Sequence, residues 1–430
     1  MTLDTAPERI SEHEELNREC FCISVDREAL SKVLAEESGQ LLLLPELAST
    51  HPHLFSGVTS FLPGSMLDGM LAIVSAVEKI SALPAYQQAV LAYAPQLARE
   101  DHGPHGVFMG YDFHLGPQGP RLIEINTNAG GAFLNALMAR VQRRCCGAQN
   151  ARISSPNGFD FAVKDMFQRE WRSQRSSGEL RRIAITDDSP QEQYLYPEFV
   201  IARQMLQKHD FEVEIVDGTG FRRDRGQLLA NDRPVDLIYN RMTDFALEEH
   251  SHEPIRRAYE AGEVVLTPNP RNHAIYADKR NLVLLSDPDM LLQLGVEAEL
   301  VAVLSASIPT TLRVTPANAD ALWATRSKLF FKPAGGFGSK AAFRGDKITR
   351  RVWAEILQSD NFIAQTYVPT SNRLVRVDGE TVARKMDVRL YTYCGELLLV
   401  ASRLYQGQTT NMRTPGGGFA PVLLTGLPTG

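Results

Sequence analysis

The chain of 430 residues is 43% hydrophobic and 22% charged, as in an ordinary globular protein, and it is long enough for two or three domains with cores of their own. A net charge of -6 and an isoelectric point near 6.0 argue against a nucleic-acid partner, and the lack of an apolar run of about 18 residues argues against a membrane partner. A polar N-terminus without the apolar core of a signal peptide, and five cysteines that form no disulfide framework, predict a cytoplasmic protein.

Residues 1–105 are predicted to form a mostly helical region. Apolar residues from Met66 to Val77 recur at helical spacing after Pro63, which is typical of an amphipathic helix packed on a core. A second helix is expected from Tyr86 to about Tyr93.

The stretch GYDFHLGPQGPRLIEINTNAGG, within residues 106–145, is predicted to form a metal-binding hairpin. The Pro-Gln-Gly-Pro tract is a turn, so Asp112 on the first strand should lie beside Glu124 on the second. Glu124 and Asn126 are two residues apart and therefore point to the same face. Two carboxylates and an amide oxygen that converge in this way are a ligand set for Mg²⁺.

The same hairpin also allows a plainer interpretation. Glu124 and Asn126 would form its solvated face and Asp112 would cap a turn, because acidic residues are common on exposed strand faces. Both interpretations stay open for this segment taken alone.

Residues 181–271 are predicted to form a small parallel α/β domain. They follow a helical stretch from Phe133 to Arg144 and a polar connection that contains one helix. RIAITDD, FEVEIVD and VDLIYNR are predicted strands, and PEFVIARQMLQKHD is a predicted helix between the first two. No GxGxxG motif follows the first strand, so a dinucleotide-binding fingerprint is absent.

Residues 272–430 are predicted to form a further unit that begins with the helix YADKRNLVLLSD. Lys332 ends an apolar strand and is followed by a glycine-rich loop, which would offer a cation and backbone N–H groups to phosphate oxygens. Gly335, Gly336 and Gly338 would let the loop close over phosphates without a Cβ in the way. A plain hairpin turn is the alternative, since the loop lacks the G-K-[ST] of a P-loop.

The run FIAQTYVP, which begins at Phe362, could hydrogen-bond an adenine edge through its backbone, with Tyr367 and Val368 beside the base. Further along, Arg389 and Arg403 alternate with apolar residues on predicted strands. Guanidinium groups in a shared cleft would stabilise a transferring phosphate or a developing oxyanion, whereas surface ion pairs are the alternative for any single arginine.

Together these motifs resemble the ATP-grasp superfamily of carboxylate-amine ligases over roughly residues 105–425. The resemblance rests on the metal set and on ADKRNLVLL with Lys279, FFKPAGGFGS, the QTYV hinge, and the DVR and SRLYQGQTTNMRTPGGG runs. The metal hairpin precedes the lysines, which resembles the circularly permuted order of eukaryotic glutathione synthetases, where an E-x-N-T…G-G-like segment also comes early. Glu192-Gln193-Tyr194 resembles the E-Q-R element of that family, and residues 235–241 resemble its Y-x-R strand.

The resemblance implies an α/β (α+β) ATP-grasp fold, in which residues 106–145 complete a nucleotide-binding domain at 272–430 and residues 181–271 bind substrate. It implies an ATP-dependent ligase that uses ATP and Mg²⁺ and joins a carboxylate to an amine through an acyl phosphate. The implied ATP-binding residues are Lys279, Lys332, Gly335, Gly336, Gly338, Ser339, Gln365, Tyr367, Val368 and Asn372, and the implied metal ligands are Asp112, Glu124 and Asn126. The implied catalytic residues are Arg389, Arg403 and Asn411, and the implied substrate-binding residues are Asn128, Gln193, Arg241 and Arg413.

The chain departs from the family pattern in three places, which bear on the substrate more than on the fold. Gln365 stands at a hinge position that is usually acidic, Asn372 stands where a carboxylate often holds ribose, and GGGFAP is not the usual dipeptide-binding loop. Arg241 could equally pair with Asp244 or Glu248.

Two other functions stay open. An ATP-grasp kinase would phosphorylate its substrate and release ADP without an amine. A degenerate nucleotide-binding module would serve to bind a partner, although an intact metal set argues against that function. The expected partners are a small-molecule carboxylate and an amine, and a homodimer is expected by analogy alone.

Overall fold

The computed structural model describes residues 11–22, 26–141, 156–335, 341–359 and 361–426. Three predicted ATP-binding residues, Gly336, Gly338 and Ser339, lie outside the described residues. The fold is mixed α/β with several sheets, one of which is parallel. Within the described ranges, no helix is both long and apolar enough to cross a membrane.

The region before residue 105 is mostly helical, as predicted, but it also contains a strand. Its elements are α1 (Glu12–Glu19), α2 (Arg27–Glu37), α3 (Leu44–Thr50), β1 (Ser60–Pro63), α4 (Gly64–Ser81) and α5 (Pro84–Leu91). Helices α4 and α5 are the two that the apolar spacing predicted. Strand β1 was not predicted, because four residues are too few to show an alternating pattern.

The predicted hairpin is present. The elements of this part are β2 (Met109–Gly116), β3 (Gly119–Asn126), α6 (Ala132–Arg140) and α7 (Pro156–Gln174). Strands β2 and β3 are antiparallel, and Asp112 lies opposite Glu124, which confirms the predicted register. A bulge between Asp112 and Phe113 then shifts the register by one residue. Helix α6 confirms the helix predicted from Phe133 to Arg144 as far as Arg140, and residues 142–144 of that prediction lie outside the described residues.

The middle of the chain forms the predicted parallel sheet. Its elements are β4 (Arg182–Asp187), α8 (Tyr196–Gln207), β5 (Glu212–Asp217), β6 (Phe221–Asp224), β7 (Gln227–Ala230), β8 (Arg233–Pro234), β9 (Leu237–Asn240), α9 (Glu253–Glu260), β10 (Val265–Thr267) and α10 (Pro270–Asn272). The parallel strands are ordered β10-β9-β4-β5, so their carboxyl ends share one edge. Strands β6, β7 and β8 form a separate antiparallel sheet that was not predicted, again because the strands are short.

The remainder of the chain is richer in strands. Its elements are α11 (Asn281–Leu285), α12 (Pro288–Gln293), α13 (Ala298–Ser307), β11 (Thr311–Arg313), α14 (Ala319–Thr325), β12 (Leu329–Pro333), β13 (Phe343–Arg344), α15 (Arg350–Ser359), β14 (Phe362–Thr366), β15 (Ser371–Val377), β16 (Glu380–Tyr393), β17 (Glu396–Tyr405) and β18 (Gly418–Thr425). A small sheet ordered β11-β14-β12-β13 carries Lys332 and Gln365 on neighbouring antiparallel strands.

The single helix predicted from Tyr276 to Asp287 is wrong, because the chain breaks in its middle. A π-helix at His273–Ala277 ends before Asp278, whose backbone is extended. The Asp278 carboxylate accepts a hydrogen bond of 2.9 Å from the backbone N–H of Arg280, a local turn that competes with a continuous helix. Lys279 therefore lies at the break.

One large sheet joins the hairpin to strand β1 and to the last strand, β18. Its strands are ordered β1-β18-β17-β16-β2-β3, and β15 also pairs with β16. Strand β1 runs parallel to β18, so the N-terminal region completes this sheet. Alternate residues of β16 enter two different cores, with Tyr391 and Tyr393 in one and Val388 and Leu390 in the other. The first core continues into the parallel sheet, so the large sheet and the parallel sheet are packed together.

A buried arginine ties helix α1 to the large sheet. Arg373 on β15 has no exposed surface, and its guanidinium donates to the carbonyl oxygens of Asn17 and Thr59, both at 2.8 Å, and to that of Cys20. Each buried carbonyl that loses its donor costs about 1–3 kcal/mol. The sequence pattern offered no sign of this contact, because Asn17 and Arg373 are 356 residues apart.

We therefore expect Arg373→Met to lower the free energy of unfolding by about 3 kcal/mol and to release α1 first. Limited proteolysis within residues 11–22 should become faster, and the urea midpoint should fall. Arg351→Met is the control, because the Arg351 side chain is 89% exposed. Equal cleavage rates in the two variants would show that Arg373 does not hold α1.

Candidate functional site

A cavity of about 300 Å³ lies where the hairpin, the small sheet and strands β16 and β17 meet. This volume is at the lower end of the range of roughly 300–1,000 Å³ for small-molecule sites. The predicted site residues that line it are Asp112, Glu124, Asn126, Asn128, Lys279, Lys332, Gln365, Tyr367, Val368, Arg389 and Arg403. The fold thus brings together residues that the chain separates by up to about 290 positions.

Lys332 enters the cavity from the end of β12 and is almost fully buried. Its ammonium group donates to the carbonyl oxygen of Ile123 at 3.1 Å and to Gln365 Oε1 at 2.9 Å. Burial lowers the pKa of Lys332 to about 8; Glu124 opposes this shift, and Lys279 adds to it. Gln365, at the hinge position, therefore serves here as a neutral acceptor for a lysine.

Glu124 and Lys279 form an ion pair across the cavity, with 3.0 Å between Oε1 and Nζ. Burial alone would raise the pKa of Glu124, but Lys279 and Lys332 outweigh it and the pKa is lowered. Glu124 is therefore a carboxylate at neutral pH, with a negative charge available to a cation in the cavity.

Four charged side chains alternate in sign along the buried side of β2, β16 and β17. Arg389 donates to both oxygens of Asp112, at 2.5 and 2.7 Å, and Arg403 reaches Asp112 at 2.9 Å. Arg403 also donates to both oxygens of Asp387, at 2.8 and 2.9 Å. Burial by itself would raise the pKa of Asp112, but Arg389 and Arg403 outweigh it and hold this pKa well below its usual range. The planar guanidinium groups are thus fixed in bidentate pairs.

The cavity carries an excess of positive charge. Its lining contains the cations Lys279, Lys332, Lys385, Arg389 and Arg403, against the carboxylates of Asp112 and Glu124. Its two histidines are His114 and His273, and burial lowers the pKa of both, to about 4 for His273, so that both are neutral. A ligand with several negative charges, such as a polyphosphate, fits this donor set.

The hairpin also offers oxygen ligands of the kind that Mg²⁺ prefers. The Asn126 amide nitrogen donates to Asp112 at 3.1 Å, which leaves the amide oxygen as an acceptor, and Asn126 and Glu124 both line the cavity. Both oxygens of Asp112 are engaged by arginines. Glu124 and Asn126 therefore fit a magnesium ion more readily than Asp112 does.

The segment after β14 also lines the cavity, through Thr366, Tyr367, Val368 and Thr370. The Tyr367 N–H donates to the carbonyl of Lys328 at 2.8 Å, and the Val368 carbonyl oxygen lies 2.8 Å from His114 Nδ1. The backbone groups predicted to meet adenine are thus already partly engaged by the protein.

Several predicted residues lie outside the cavity. Gly335 and Asn372 are exposed, and neither lines the cavity. Asn411 and Arg413 are exposed in the loop between β17 and β18, where Arg413 stacks over the ring of Tyr194 at 4.1 Å. The residues of that loop that do line the cavity are Gln408, Thr409 and Thr410. Sequence reasoning missed them, although the polar run QGQTT marks them as a loop.

Unpartnered polar atoms lie on Asn128, just after the hairpin, and on Arg241, just after β9. Asn128, which lines the cavity, donates to the carbonyl oxygen of Arg241 at 2.7 Å, while its own Oδ1 is buried and has no hydrogen-bond partner among the described residues. The same holds for Nε and Nη1 of the buried Arg241. Gln193 instead donates to the carbonyl oxygen of Asp188 at 2.6 Å, and Asp244 bonds His252.

A glycine and a buried glutamate shape the loop between the hairpin and α6. Gly131 has a φ of +103°, and a Cβ there would lie 2.2 Å from the ring of Phe419, so only glycine fits. Its N–H donates to Glu198 at 2.8 Å, and that of Phe133 does so at 3.2 Å, so Glu198 satisfies the N-terminus of α6. The sequence contained no signal for Glu198, because it lies inside an apolar helix.

The fold is similar to that of a glutathione synthetase-like effector from Globodera pallida in its apo form. The TM-score is 0.57 at 11% identity, and the match covers 94% of this chain and 100% of that chain. A predicted gamma-glutamylcysteine synthetase from Methylobacillus flagellatus KT matches with a TM-score of 0.45 at 10% identity, over 86% of this chain and 90% of that one. No family model matches this chain, and no curated protein matches its sequence. The resemblance to glutathione synthetases is confirmed for the fold alone.

Proposed function

We propose that this protein is an ATP-dependent ligase with a circularly permuted ATP-grasp fold, which joins a small-molecule carboxylate to an amine. The observation that carries the proposal is that two lysines, a carboxylate–amide pair on one strand and two fixed arginines line the same cavity. The lysines suit the phosphates of ATP, the carboxylate–amide pair suits the metal ion, and the arginines suit the oxyanion of an acyl transfer. The similarity of the fold to that of a glutathione synthetase-like effector supports the proposed fold.

Lys279 and Lys332 would hold the phosphates of ATP, since both lie in a cavity with an excess of positive charge. The segment Thr366–Val368 would border the base. Glu124 and Asn126 would hold Mg²⁺, and the bound ion would neutralise phosphate charge and orient the oxygens. Asp112 has its oxygens in ion pairs, so its proposed part is to hold Arg389 and Arg403 in place.

The acid would be recognised next to the hairpin by the unpartnered atoms of Arg241 and Asn128. A guanidinium group pairs with a carboxylate, and an amide oxygen accepts from an ammonium group, so an amino acid or a γ-glutamyl peptide fits both. The acid oxygen would take the γ-phosphoryl group, and an amine would then displace phosphate through a tetrahedral intermediate. Arg389 or Arg403 would stabilise the oxyanion of that intermediate without moving, because bidentate pairs already fix them.

The pKa of Lys332 leads to a prediction about nucleotide binding. It is lowered from 10.5 to about 8, so the side chain is charged below pH 8 and loses its proton as pH rises through that value. The dissociation constant of ATP, measured by calorimetry with EDTA present, should therefore rise about tenfold per pH unit above 8. Lys332→Met should bind weakly at pH 7 and lose this pH dependence.

Lys328→Met is the matched control, since Lys328 is exposed one strand position before β12. It should retain both the affinity and the pH profile of the wild type. A wild-type affinity that stays constant from pH 7 to 9.5 would contradict the role given to Lys332.

The proposed function is tested by Mg²⁺-dependent release of ADP and phosphate across a panel of amino acids and short γ-glutamyl peptides, each with and without candidate amines. Turnover that needs one acid and one amine is the expected result. Turnover with an acid alone that yields a phosphorylated product would identify a kinase. ATP binding without turnover on any pair would contradict the ligase and favour a module that binds a partner. The homodimer stays a prediction.

A further inference from the structure

A histidine outside the cavity is completely buried between two carboxylates. His252 Nε2 lies 2.8 Å from Asp188 Oδ1, and Nδ1 lies 2.8 Å from Asp244 Oδ2. An ionised carboxylate only accepts hydrogen bonds, so both ring nitrogens must donate and the ring is an imidazolium. The arrangement is thus a cation that bridges two anions.

The bridge lies at the carboxyl edge of the parallel sheet, where ligands bind in sheets of this kind. Asp188 directly follows β4, Asp244 lies in the loop after β9, and His252 precedes α9. Gly218, which directly follows β5, packs against the bridge so closely that a Cβ there would lie 2.8 Å from both Asp188 and His252. Three strand ends therefore converge on one ring.

The surroundings favour the charged form of His252. Besides Asp188 and Asp244, the carboxylates of Asp217 and Glu249 lie near the ring. The N-terminal end of α9 opposes a cation, and so does burial, but the carboxylates outweigh both. The hydrogen bonds to Asp244 and Asp188 raise the pKa of His252 to about 9.

One end of the bridge holds the segment of Phe245, which lines the cavity, and the other end holds Gln193, a predicted substrate-binding residue that does not line it. Asp244 also accepts from the N–H groups of Glu248 and Glu249, at 3.0 and 2.9 Å, and so fixes the loop that carries its neighbour Phe245. Phe245 lines the cavity and stacks on His273 with 3.9 Å between ring centroids. On the other side, the Asp188 carbonyl fixes the side chain of Gln193.

We propose that His252 is a positioning residue, whose charged ring holds the loops of Phe245 and Gln193 in the arrangement that binds the acid substrate. This inference rests on the proposed function. His252 does not line the cavity and touches none of the reacting atoms, so recognition of the acid would depend on one buried proton at a distance.

The test compares His252→Gln, which removes the charge, with His252→Lys, which keeps it. His250→Gln is the matched control, because His250 is two residues away and its side chain is 97% exposed. In the full chain at pH 7.5, His252→Gln should raise the KM for the acid by about tenfold to a hundredfold and leave the KM for ATP unchanged. His252→Lys should restore part of the loss, and His250→Gln should behave as the wild type.

The pH profile separates a charge effect from a packing effect. Because the pKa of His252 is raised from 6.5 to about 9 in the folded protein, the ring stays charged at pH 7.5 and loses its proton as pH rises through about 9. The contribution of the bridge to stability is complete below about pH 6.5 and is lost over the same rise. The wild-type KM for the acid should rise above pH 9, more steeply than in His252→Gln. Equal KM values for the acid in His252→Gln and the wild type would overturn the inference.

The pKa of His252 can be measured without any enzyme activity, so it tests the charged bridge independently of the proposed function. NMR titration of histidine-labelled protein, with the His252 signal assigned by its absence in His252→Gln, should give a pKa near 9; a value near 6.5 would overturn the bridge. A metal ion is the alternative to a proton at this position.

The ligand atoms of Asp188, Glu249 and His252 lie within 4.8 Å of one another, a spacing that would suit such an ion. If the wild type retained one equivalent of zinc or manganese and His252→Gln lost it, the charged bridge would be overturned. A pKa near 9 in a protein without ligase activity would contradict the proposed function alone.

Discussion

Replacing Glu124 by alanine is expected to lower Mg²⁺-dependent ATP turnover by about a thousandfold or more while the fold stays intact. The change removes the carboxylate that would hold the metal ion, and metal stabilisation of the transferring phosphate is worth several kcal/mol. Asn126→Ala should act in the same direction, since its amide oxygen lies on the same strand face. The rate of ADP release at saturating ATP is the measurement, with circular dichroism as the test of folding.

Glu396→Ala is the matched control. It removes a carboxylate of the same kind from the first position of β17, where the side chain is 75% exposed and lies 3.7 Å from Arg169. Its turnover should equal that of the wild type. Full activity in Glu124→Ala would contradict the metal assignment, and so would an equal loss in both variants.

Asp112→Asn is expected to lower the free energy of unfolding by about 3–5 kcal/mol. The amide leaves the buried guanidinium groups of Arg389 and Arg403 without the charge that compensates them, and breaking a buried ion pair is costly for this reason. Activity should fall as well, because the two arginines are no longer held in place. Urea denaturation followed by circular dichroism measures the stability.

An exposed arginine–aspartate pair serves as the control. Arg222 donates to Asp232 at 3.1 and 2.8 Å, and the Asp232 side chain is 84% exposed. Asp232→Asn should leave the urea midpoint nearly unchanged, since exposed ion pairs contribute little. If Asp112→Asn were as stable as the wild type but no longer bound Mg²⁺, Asp112 would be a metal ligand and not an anchor for the arginines.

The parts of the fold and the site that could be predicted are those that depend on the order of neighbouring residues in the sequence. Alternation along LIEIN, together with a Pro-Gly turn, was enough to predict the β2–β3 hairpin and the pairing of Asp112 with Glu124. Alternating strands and helices likewise predicted the parallel sheet. Local patterns of this kind are reliable because the side-chain period of a strand and the chemistry of a turn are set by nearest neighbours.

The parts that could not be predicted depend on contacts between distant residues. The register of β2 against β16 decides that Asp112 meets Arg389, which is 277 residues away, and no local pattern encodes that pairing. The same is true of Lys332 and the carbonyl of Ile123, which are 209 residues apart. The break at Asp278, in contrast, has a local cause, because its carboxylate accepts from the N–H of Arg280 two residues later. The prediction missed this turn because the apolar run LVLL that follows is typical of a helix.

The measurement that tests the acyl-phosphate ligase most directly is oxygen transfer from the acid to phosphate. The acid that supports turnover would be labelled with ¹⁸O in both carboxylate oxygens and incubated with ATP, Mg²⁺ and its amine, and the phosphate would be analysed by mass spectrometry. If the carboxylate attacks the γ-phosphorus and the amine then displaces phosphate, each phosphate carries one ¹⁸O and the amide keeps the other. Phosphate without label, alongside a product that retains both ¹⁸O atoms, would contradict the proposed function.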